Sequence, residues 1–246
     1  MTRLVSTVKG IGRLEDDGGT VALHDVDATD LGTALQGGLD LGILGTAAVR
    51  DLMPTTQTQL LAPVPRPSKV WAVGYAYADH RTEVDHNGVA EEPVVFLKAT
   101  SSVIGTGEPL RFPKAAPDEV DYDSELAVVN DIGTGDVQKG RFPGRAASVT
   151  AAKSFDAFTP RGSPLVTLDE FTDPNRPRQD SRTSQLIHPV PALVSYLSRQ
   201  TTLEPGDVIS TGTPACVGHR RGLLLRSCTE VRNEIEGVGA IVGICA

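Results

Sequence analysis

The sequence predicts a mixed α/β fold that is mainly β. Short apolar runs bounded by glycine and proline recur along the chain and are typical of strands. Helical spacing of apolar residues is present in 189–198, and a weaker helical pattern runs through 46–52. The chain has 246 residues, of which 39% are hydrophobic, and this is enough to bury a sizeable core.

The charge pattern and the cysteines argue against several classes of protein. The formal net charge is -8, and the basic run at 219–221 is short, so nucleic acid is not an expected partner. No apolar run approaches the roughly 18 residues of a membrane span. The cysteines are odd in number and lack metal-ligand spacing, which fits reduced thiols: Cys216, Cys228 and Cys245. We expect a soluble, cytoplasmic protein without a structural zinc site.

Residues 1–65 are predicted to form a small N-terminal domain. Two apolar runs, 12–14 and 20–23, flank a polar turn and indicate a β-hairpin. The proline-rich stretch 62–67 cannot continue a helix or a central strand, and we interpret it as a linker. Residues 66–246 are therefore expected to carry the function.

The first candidate for chemistry follows the apolar strand predicted at 69–74. If 75–83 is helical, His80 and Glu83 are neighbours on one face, and a carboxylate in that position can orient an imidazole as a general base. A simple surface contact is the alternative. The polar stretch 84–92 could be a lid over a site or an ordinary surface loop.

The second candidate is an acidic stretch at 120–129. In a strand, Asp121, Asp123 and Glu125 would all point to one side, and Asp131 follows shortly after. Carboxylates held this close repel one another unless a hard cation or solvent compensates their charge. The pattern therefore indicates either a divalent metal site or a solvent-facing acidic strand.

Two further segments end in polar groups suited to binding. A predicted strand at 93–98 ends in Lys98. A second strand, within 203–210, leads into the glycine turn Thr211-Gly212-Thr213-Pro214, which can present backbone N–H and hydroxyl groups to a carboxylate or carbonyl. A plain turn is the alternative reading. The segment 189–198 begins with proline and predicts an amphipathic helix packed on the core.

Taken together and in this order, these pieces resemble the fumarylacetoacetate hydrolase family over about Pro63 to Gly239. Each motif is weak alone, but their shared order is specific. The motifs are Val73-Gly74-Tyr75 with His80 and Glu83, Phe96-Leu97-Lys98, Asp121-Tyr122-Asp123-Ser124-Glu125-Leu126-Ala127-Val128-Val129, Asn130-Asp131 with Gln138, Lys153-Ser154-Phe155-Asp156, Arg178-Gln179-Asp180-Ser181, Pro205-Gly206-Asp207-Val208-Ile209, Thr211-Gly212-Thr213-Pro214 and Glu234-Ile235-Glu236-Gly237-Val238-Gly239.

The resemblance implies a mixed β-sandwich roll in 66–246, a small β-containing domain in 1–65, and a homodimer. It also implies that Asp123, Glu125 and Asp131 are ligands of Mg²⁺, or of Mn²⁺ or Ca²⁺. An all-carboxylate set of ligands suits these hard cations rather than zinc.

The resemblance also implies roles for other residues of the site. His80, oriented by Glu83, would move a proton, while Lys153 and Gln138 would stabilise an oxyanion or enolate. The residues implied in binding the substrate, a small carboxylic acid, are Thr213, Gly212, Tyr75 and Lys98.

The chain departs from the family pattern at several positions. A segment that relatives carry between Val129 and Asn130 is missing, so Asp131 is either delivered by a rerouted backbone or displaced from the site. Asp123 stands in place of a glutamate, Gly135 in place of an arginine, and Cys216 in place of a glycine. The arginine position is therefore lost as a source of positive charge near the oxyanion.

The sequence thus predicts a divalent-metal-dependent hydrolase, decarboxylase or isomerase that acts on a small 2-oxo or 1,3-dicarbonyl acid. The first alternative is a metal-independent lyase or cyclase that uses His80 and Lys153. The second alternative is a non-catalytic protein that binds a small acid in the same pocket.

Overall fold

The computed structural model describes residues 2–84, 92–125, 129–139, 148–162, 165–166, 179, 181–235 and 238–246. The strands are β1 (Arg3–Thr7), β2 (Gly10–Leu14), β3 (Thr20–His24), β4 (Val49–Pro54), β5 (Val70–Gly74), β6 (Val94–Lys98), β7 (Val103–Ile104), β8 (Val120–Asp121), β9 (Ser124–Glu125), β10 (Val129–Asn130), β11 (Gly133–Thr134), β12 (Thr159–Pro160), β13 (Leu165–Val166), β14 (Val208–Ser210), β15 (Glu230–Ile235) and β16 (Gly239–Ile244). The helices are α1 (Leu31–Gln36), α2 (Leu41–Thr46), α3 (Ala78–Glu83), α4 (Gly135–Gln138), α5 (Val149–Lys153), α6 (Val190–Ser198) and α7 (Gly218–Arg221). The fold is mixed α/β and mainly β, as predicted. The stretch proposed as a lid lies mostly outside the described residues.

The N-terminal part is an antiparallel sheet in the order β13-β1-β2-β3-β4. The predicted hairpin is confirmed as β2 and β3. Asp17 fixes its turn, because the carboxylate accepts hydrogen bonds from the backbone N–H groups of Gly19 and Thr20, at 2.8 and 2.9 Å. Strand β13 comes from later in the chain and pairs with β1, so this sheet is tied to the rest of the protein.

Two short helices cover one face of this sheet. Asp30 caps α1 and Asp40 caps α2, each by accepting a bond from a backbone N–H of the first turn. The shared core is aliphatic: Leu4, Ile11, Leu31, Ala34 and Leu44.

The helix predicted from the weak spacing of 46–52 is wrong. The chain instead enters β4, which pairs with β3 from Thr20 to His24 with one irregularity near Leu23. Val49 and Leu52 are exposed on this strand, so no apolar face was available to hold a helix against the core. Pairing with β3 satisfies the backbone hydrogen bonds of this segment and outweighs its weak helical spacing.

The sheet that positions the candidate site has the order β14-β5-β6. Strand β14 runs parallel to β5, while β6 is antiparallel to it. Parallel neighbours end at the same edge, so the segments after β5 and after β14 meet there. The predicted helix at 189–198 is confirmed as α6, and Leu193 packs on Val73, Ala76 and Tyr77 of this sheet region.

The continuous acidic strand predicted at 120–129 is wrong. Strand β8 ends at Asp121 and pairs with β11, whereas β9 begins at Ser124 and pairs with β10. Tyr122 between them is buried in an apolar core. Burial of its ring interrupts the strand at this point. Asp121 lies apart from the other acidic residues and binds His219.

The largest apolar cluster lies beneath these short strands. It contains Leu110, Val120, Tyr122, Ile132, Phe158, Leu225 and Cys245. The hairpin β15-β16 closes this side, and Val231 packs against the cluster. Within the described residues, no helix is long and apolar enough to cross a membrane. The division into 1–65 and 66–246 remains a prediction.

Stability should depend on pH through His24, at the end of β3. Burial, and then the charge of Arg13, lower the pKa of His24 below its ordinary 6.5, while the charge of Glu15 acts in the opposite direction. The unfolded chain therefore takes up this proton at higher pH than the folded chain does. The contribution of His24 to stability should be fully present above about pH 6.5. It should be lost as the pH falls from there through the folded-state pKa.

Urea unfolding of the wild type and His24→Leu at about pH 8 and pH 5 measures this effect. We expect the free energy of unfolding to fall less between these two pH values in the variant. Equal losses in both proteins would contradict the assignment to His24.

Candidate active site

A histidine–carboxylate pair lies on α3, directly after β5. His80 Nδ1 is 3.1 Å from Glu83 Oε2, one turn along the helix, and His80 is 8% exposed. The other oxygen of Glu83 accepts the backbone N–H of Cys216 at 2.9 Å. Asp79 accepts the backbone N–H of His80 at 2.7 Å. The predicted contact between His80 and Glu83 is therefore present, and Glu83 is fixed from two sides.

The departure at Cys216 has a structural explanation. Cys216 has φ of 76°, in the left-handed region where glycine is usual. This backbone turn directs its N–H towards Glu83. The side chain that replaces the family's glycine therefore carries strain, while the hydrogen bond to the carboxylate is kept.

Tyr75, a predicted substrate-binding residue, supports the same pair. It has φ of 53°, and its ring stacks on His80 with the ring centroids 6.2 Å apart. Its carbonyl accepts a bond from Arg81 Nε at 2.7 Å. The aromatic ring limits the orientations that the imidazole can take.

The missing segment before Asn130 does not displace Asp131. Strand β10 folds back antiparallel on β9, and the backbone N–H of Asp131 donates to the carbonyl of Asp123 at 2.8 Å. The rerouted backbone thus brings Asp131 beside Asp123. The rerouted backbone is therefore present, and the role of Asp131 as a metal ligand remains a prediction.

Two buried lysines neutralise these carboxylates. Lys98 contacts Asp131 and donates to the carbonyl of Phe158 at 3.0 Å. Lys153 contacts Asp123, lies 2.9 Å from Asp131 Oδ2, and donates to the Asp131 carbonyl at 2.7 Å. Lys98 was predicted to bind substrate, but here its ammonium group is used by Asp131.

The electrostatics of the cluster differ from residue to residue. Burial acts to raise the pKa of Asp131, but Lys153 and Lys98 hold it below its ordinary value. Burial acts to lower the pKa of Lys153, but Asp123 and Asp131 raise it above its ordinary value. Burial, and then the charge of Asp131, raise the pKa of Glu125 to about 8. Burial also raises the pKa of Asp123, although the charge of Lys153 acts in the opposite direction.

Gly212 and Thr213 lie at the end of β14, opposite these carboxylates. The N–H of Gly212 donates to Glu125 Oε2 at 3.1 Å. Gly212 has φ of +92°, and an added Cβ would lie 2.6 Å from the carbonyl oxygen of Val73 and 2.5 Å from the Cβ of Ala76. Only glycine fits this close approach.

Gln179 connects the two halves of the site, a role that its sequence context alone does not predict. Its amide oxygen accepts the backbone N–H of Ser124 at 2.9 Å, and its Nε2 donates to Thr213 Oγ1 at 2.8 Å and to the Pro214 carbonyl at 3.0 Å. Gln179 is 8% exposed. Its place within a polar motif of the resemblance was the signal that could have identified it.

Comparison with known proteins agrees with this geometry. A family model described as fumarylacetoacetate (FAA) hydrolase, C-terminal, matches residues 69–141 and 127–243. The chain belongs to the fumarylacetoacetate hydrolase family. It is 33% identical over 244 residues to the mitochondrial oxaloacetate tautomerase FAHD2A of Bos taurus, with 84% of this chain and 76% of that protein aligned.

Solved structures of the fumarylacetoacetate hydrolase family share the fold. A fumarylacetoacetate hydrolase from Exiguobacterium antarcticum superposes with a TM-score of 0.78 at 27% identity, covering 100% of this chain and 99% of that one. A 2-hydroxyhepta-2,4-diene-1,7-dioate isomerase from Mycobacterium marinum gives a TM-score of 0.76 at 26% identity, covering 100% and 98%. The chain is therefore an enzyme of this family.

Members of this family commonly use divalent metals, so the fit of Asp123, Glu125 and Asp131 to such an ion can be tested. Their donor chemistry fits, because all three are carboxylates, with Glu125 and Asp131 buried and Asp123 partly buried. Their arrangement does not, because among the described residues no three His, Cys, Asp or Glu side chains are placed to hold an ion. Lys153 instead spans two of the three.

Gln138 is not brought to the site. It is exposed on α4, because Val137 takes the buried side of this short helix in a cluster with Ala116 and Ala152. Gly135, in the place of the family's arginine, lies against Glu119, whose Oε2 would be 2.3 Å from an added Cβ. This contact is with the end of a flexible side chain, so a side chain at 135 would require only that Glu119 shift.

Replacement of Gly212 tests how strictly this turn is required. Gly212→Ala should lower the free energy of unfolding by at least twice as much as Gly222→Ala does. Gly222 is the matched control, because its φ is +68° but an added Cβ would meet no atom within 4 Å. The control should lose roughly 1–2 kcal/mol from backbone strain alone. Urea unfolding measures both, and equal losses would show that the close approach to Val73 and Ala76 is unimportant.

Proposed function

We propose that this enzyme interconverts the keto and enol forms of a small 2-oxo acid. The observation that carries the proposal is the buried His80–Glu83 pair, which the N–H of Cys216 holds, together with the ammonium groups of the carboxylate cluster. Keto–enol interconversion needs one group that moves a proton and a positive environment for an enolate oxygen. The relatives named as an oxaloacetate tautomerase and a dienedioate isomerase support the same type of reaction.

His80 is the group that moves the proton. Glu83 accepts the Nδ1–H, which leaves the lone pair on Nε2, and no described residue bonds to Nε2. Nε2 removes a proton from the carbon beside the 2-oxo group. The electrons of that C–H bond form the C=C bond, and the carbonyl becomes an enolate oxygen. Return of the proton to oxygen gives the enol, and Glu83 stabilises the intermediate imidazolium.

Lys153 stabilises the enolate oxygen of the substrate, and Thr213 binds its carboxylate. Lys153 stays protonated, because Asp123 and Asp131 raise its pKa, and its charge stabilises the enolate. Thr213 Oγ1 already accepts a bond from Gln179, so its hydroxyl proton remains to be donated to the substrate carboxylate.

We also propose that Asp123, Glu125 and Asp131 hold a divalent cation, Mg²⁺ in the first place and otherwise Mn²⁺ or Ca²⁺. When bound, such an ion would supply Lewis-acid stabilisation of negative charge on the substrate. Its binding requires Lys153 to release at least one aspartate. The raised pKa of Glu125 supports the proposal, since it marks a buried carboxylate that lacks a full counter-charge.

One observation favours a second candidate, a metal-independent lyase or cyclase in the same pocket. Lys153 spans Asp123 and Asp131, so an ammonium group already takes the position of a cation. In that case His80 and Lys153 alone would carry the reaction. The homodimer and the cytoplasmic location implied by the sequence remain predictions.

Replacement of His80 tests the proton transfer. His80→Asn should lower kcat for oxaloacetate enolisation by roughly 10²- to 10⁴-fold and leave KM nearly unchanged, because a general base is lost without a binding group. Glu83→Gln should lower kcat less. Proton exchange at C3 followed by NMR in D₂O measures the reaction.

His219→Asn is the matched control for this experiment. His219 makes a similar bond to a carboxylate, with Nδ1 3.0 Å from Asp121 Oδ2, but outside the proposed dyad. The control should keep wild-type kcat. A His80→Asn enzyme as active as the control would exclude His80 as the base.

Titration calorimetry on metal-stripped protein separates the two candidates. Wild-type protein should bind about one Mg²⁺ or Mn²⁺ per chain, and Glu125→Gln should weaken binding by at least roughly tenfold, because a charged ligand is lost. Glu15→Gln, in the N-terminal sheet, should bind like the wild type. Absence of binding to a folded wild type, with activity retained, would favour the metal-independent enzyme.

A further inference from the structure

Arg161 is a buried cation that the site described above does not use. It follows β12 and is 8% exposed. Within the described part of the chain, its Nε and Nη1 are sealed from solvent and have no hydrogen-bond partner. A buried guanidinium without partners costs several kcal/mol, so a protein rarely keeps one that has no use.

The chain holds Arg161 close to the carboxylate cluster. The Phe158 carbonyl, three residues earlier, binds both Lys98 Nζ and the N–H of Ile132. The N–H of Arg161 donates to the Ile104 carbonyl at 2.8 Å, which continues the pairing of β12 with β7. The charge of Glu125 acts on the guanidinium. The segment that carries Arg161 therefore contacts the lysine of the carboxylate cluster, and the guanidinium lies within range of the charge of Glu125.

Arg161 differs from the two lysines in its free donors. Lys98 and Lys153 already bind aspartates and carbonyls. The guanidinium of Arg161 has donors to spare, and Nη2 is not among its sealed nitrogens. A planar fork of donors matches the two oxygens of a carboxylate better than an ammonium group does.

We propose that Arg161 binds the second carboxylate of a dicarboxylic 2-oxo acid. This inference rests on the proposed function and narrows its substrate class. Thr213 and Arg161 then hold opposite ends of the substrate, and the carbon beside the 2-oxo group lies between them for His80. A monocarboxylic 2-oxo acid leaves the guanidinium without a partner and is the poorer substrate.

The test compares a dicarboxylate with a monocarboxylate, oxaloacetate with pyruvate, in wild type and Arg161→Met. The variant should lose roughly 100-fold in kcat/KM for oxaloacetate, mainly through KM, because the loss of one partner of a buried charged pair is expensive. Its kcat/KM for pyruvate should stay within about threefold. Equal losses for both substrates would assign Arg161 a structural role and overturn the inference.

Two further variants keep the test decisive. If Arg161→Met does not fold, Arg161→Lys retains the charge without the fork and should lose about tenfold for oxaloacetate only. Equal loss for both substrates in this variant overturns the inference as well. Arg232→Met replaces an exposed arginine that is paired with Glu234, and it should leave kcat/KM unchanged for both substrates.

Binding of malonate, which has two carboxylates but no 2-oxo group, separates this inference from the proposed function. Calorimetry should show that wild type prefers malonate to acetate and that Arg161→Met loses the preference. Malonate binding that depends on Arg161, without turnover of any 2-oxo acid, would refute the proposed reaction and keep the carboxylate site. Turnover without such a preference would refute the carboxylate site alone.

Discussion

The site depends on the neutralisation of Asp131 by two ammonium groups. Lys98 arrives from β6 and Lys153 from α5, and both contact the carboxylate that the short β9–β10 return delivers. Removing either lysine would leave a buried charge uncompensated, which costs about 3–5 kcal/mol in comparable pairs. Strands of two residues cannot hold their own positions, so this network is what fixes the strands around it.

A second constraint acts at the edge where β5 and β14 end together. Three residues there have positive φ: Tyr75 at 53°, Cys216 at 76° and Gly212 at 92°. Two of these turns aim a backbone N–H at an acidic side chain, Cys216 at Glu83 and Gly212 at Glu125. The same connection after β14 thus orients both the dyad and the carboxylate cluster, and its strain is the cost of that geometry.

The sequence was sufficient where local pattern and tertiary environment agree. The strand before Tyr75, the i,i+3 pairing of His80 with Glu83 and the glycine turn after β14 each follow from spacing and residue type. The break at Tyr122 did not follow, because burial of its ring is decided by residues far along the chain. Neither did the use of Lys98 by Asp131, since a lysine at a strand end gives no sign of its partner.

The charges of the cluster connect the metal to the class of substrate. Counted as formal charges, Asp123, Glu125 and Asp131 balance Lys98, Lys153 and Arg161. A divalent cation adds two positive charges, and a dicarboxylate brings two negative ones. A monocarboxylate without a metal leaves the cluster with an excess negative charge in a medium of low dielectric, where it is costly. In the proposed site, electroneutrality would therefore make metal binding and dicarboxylate binding favour each other, and the metal-free alternative would fit best with a substrate of lower charge.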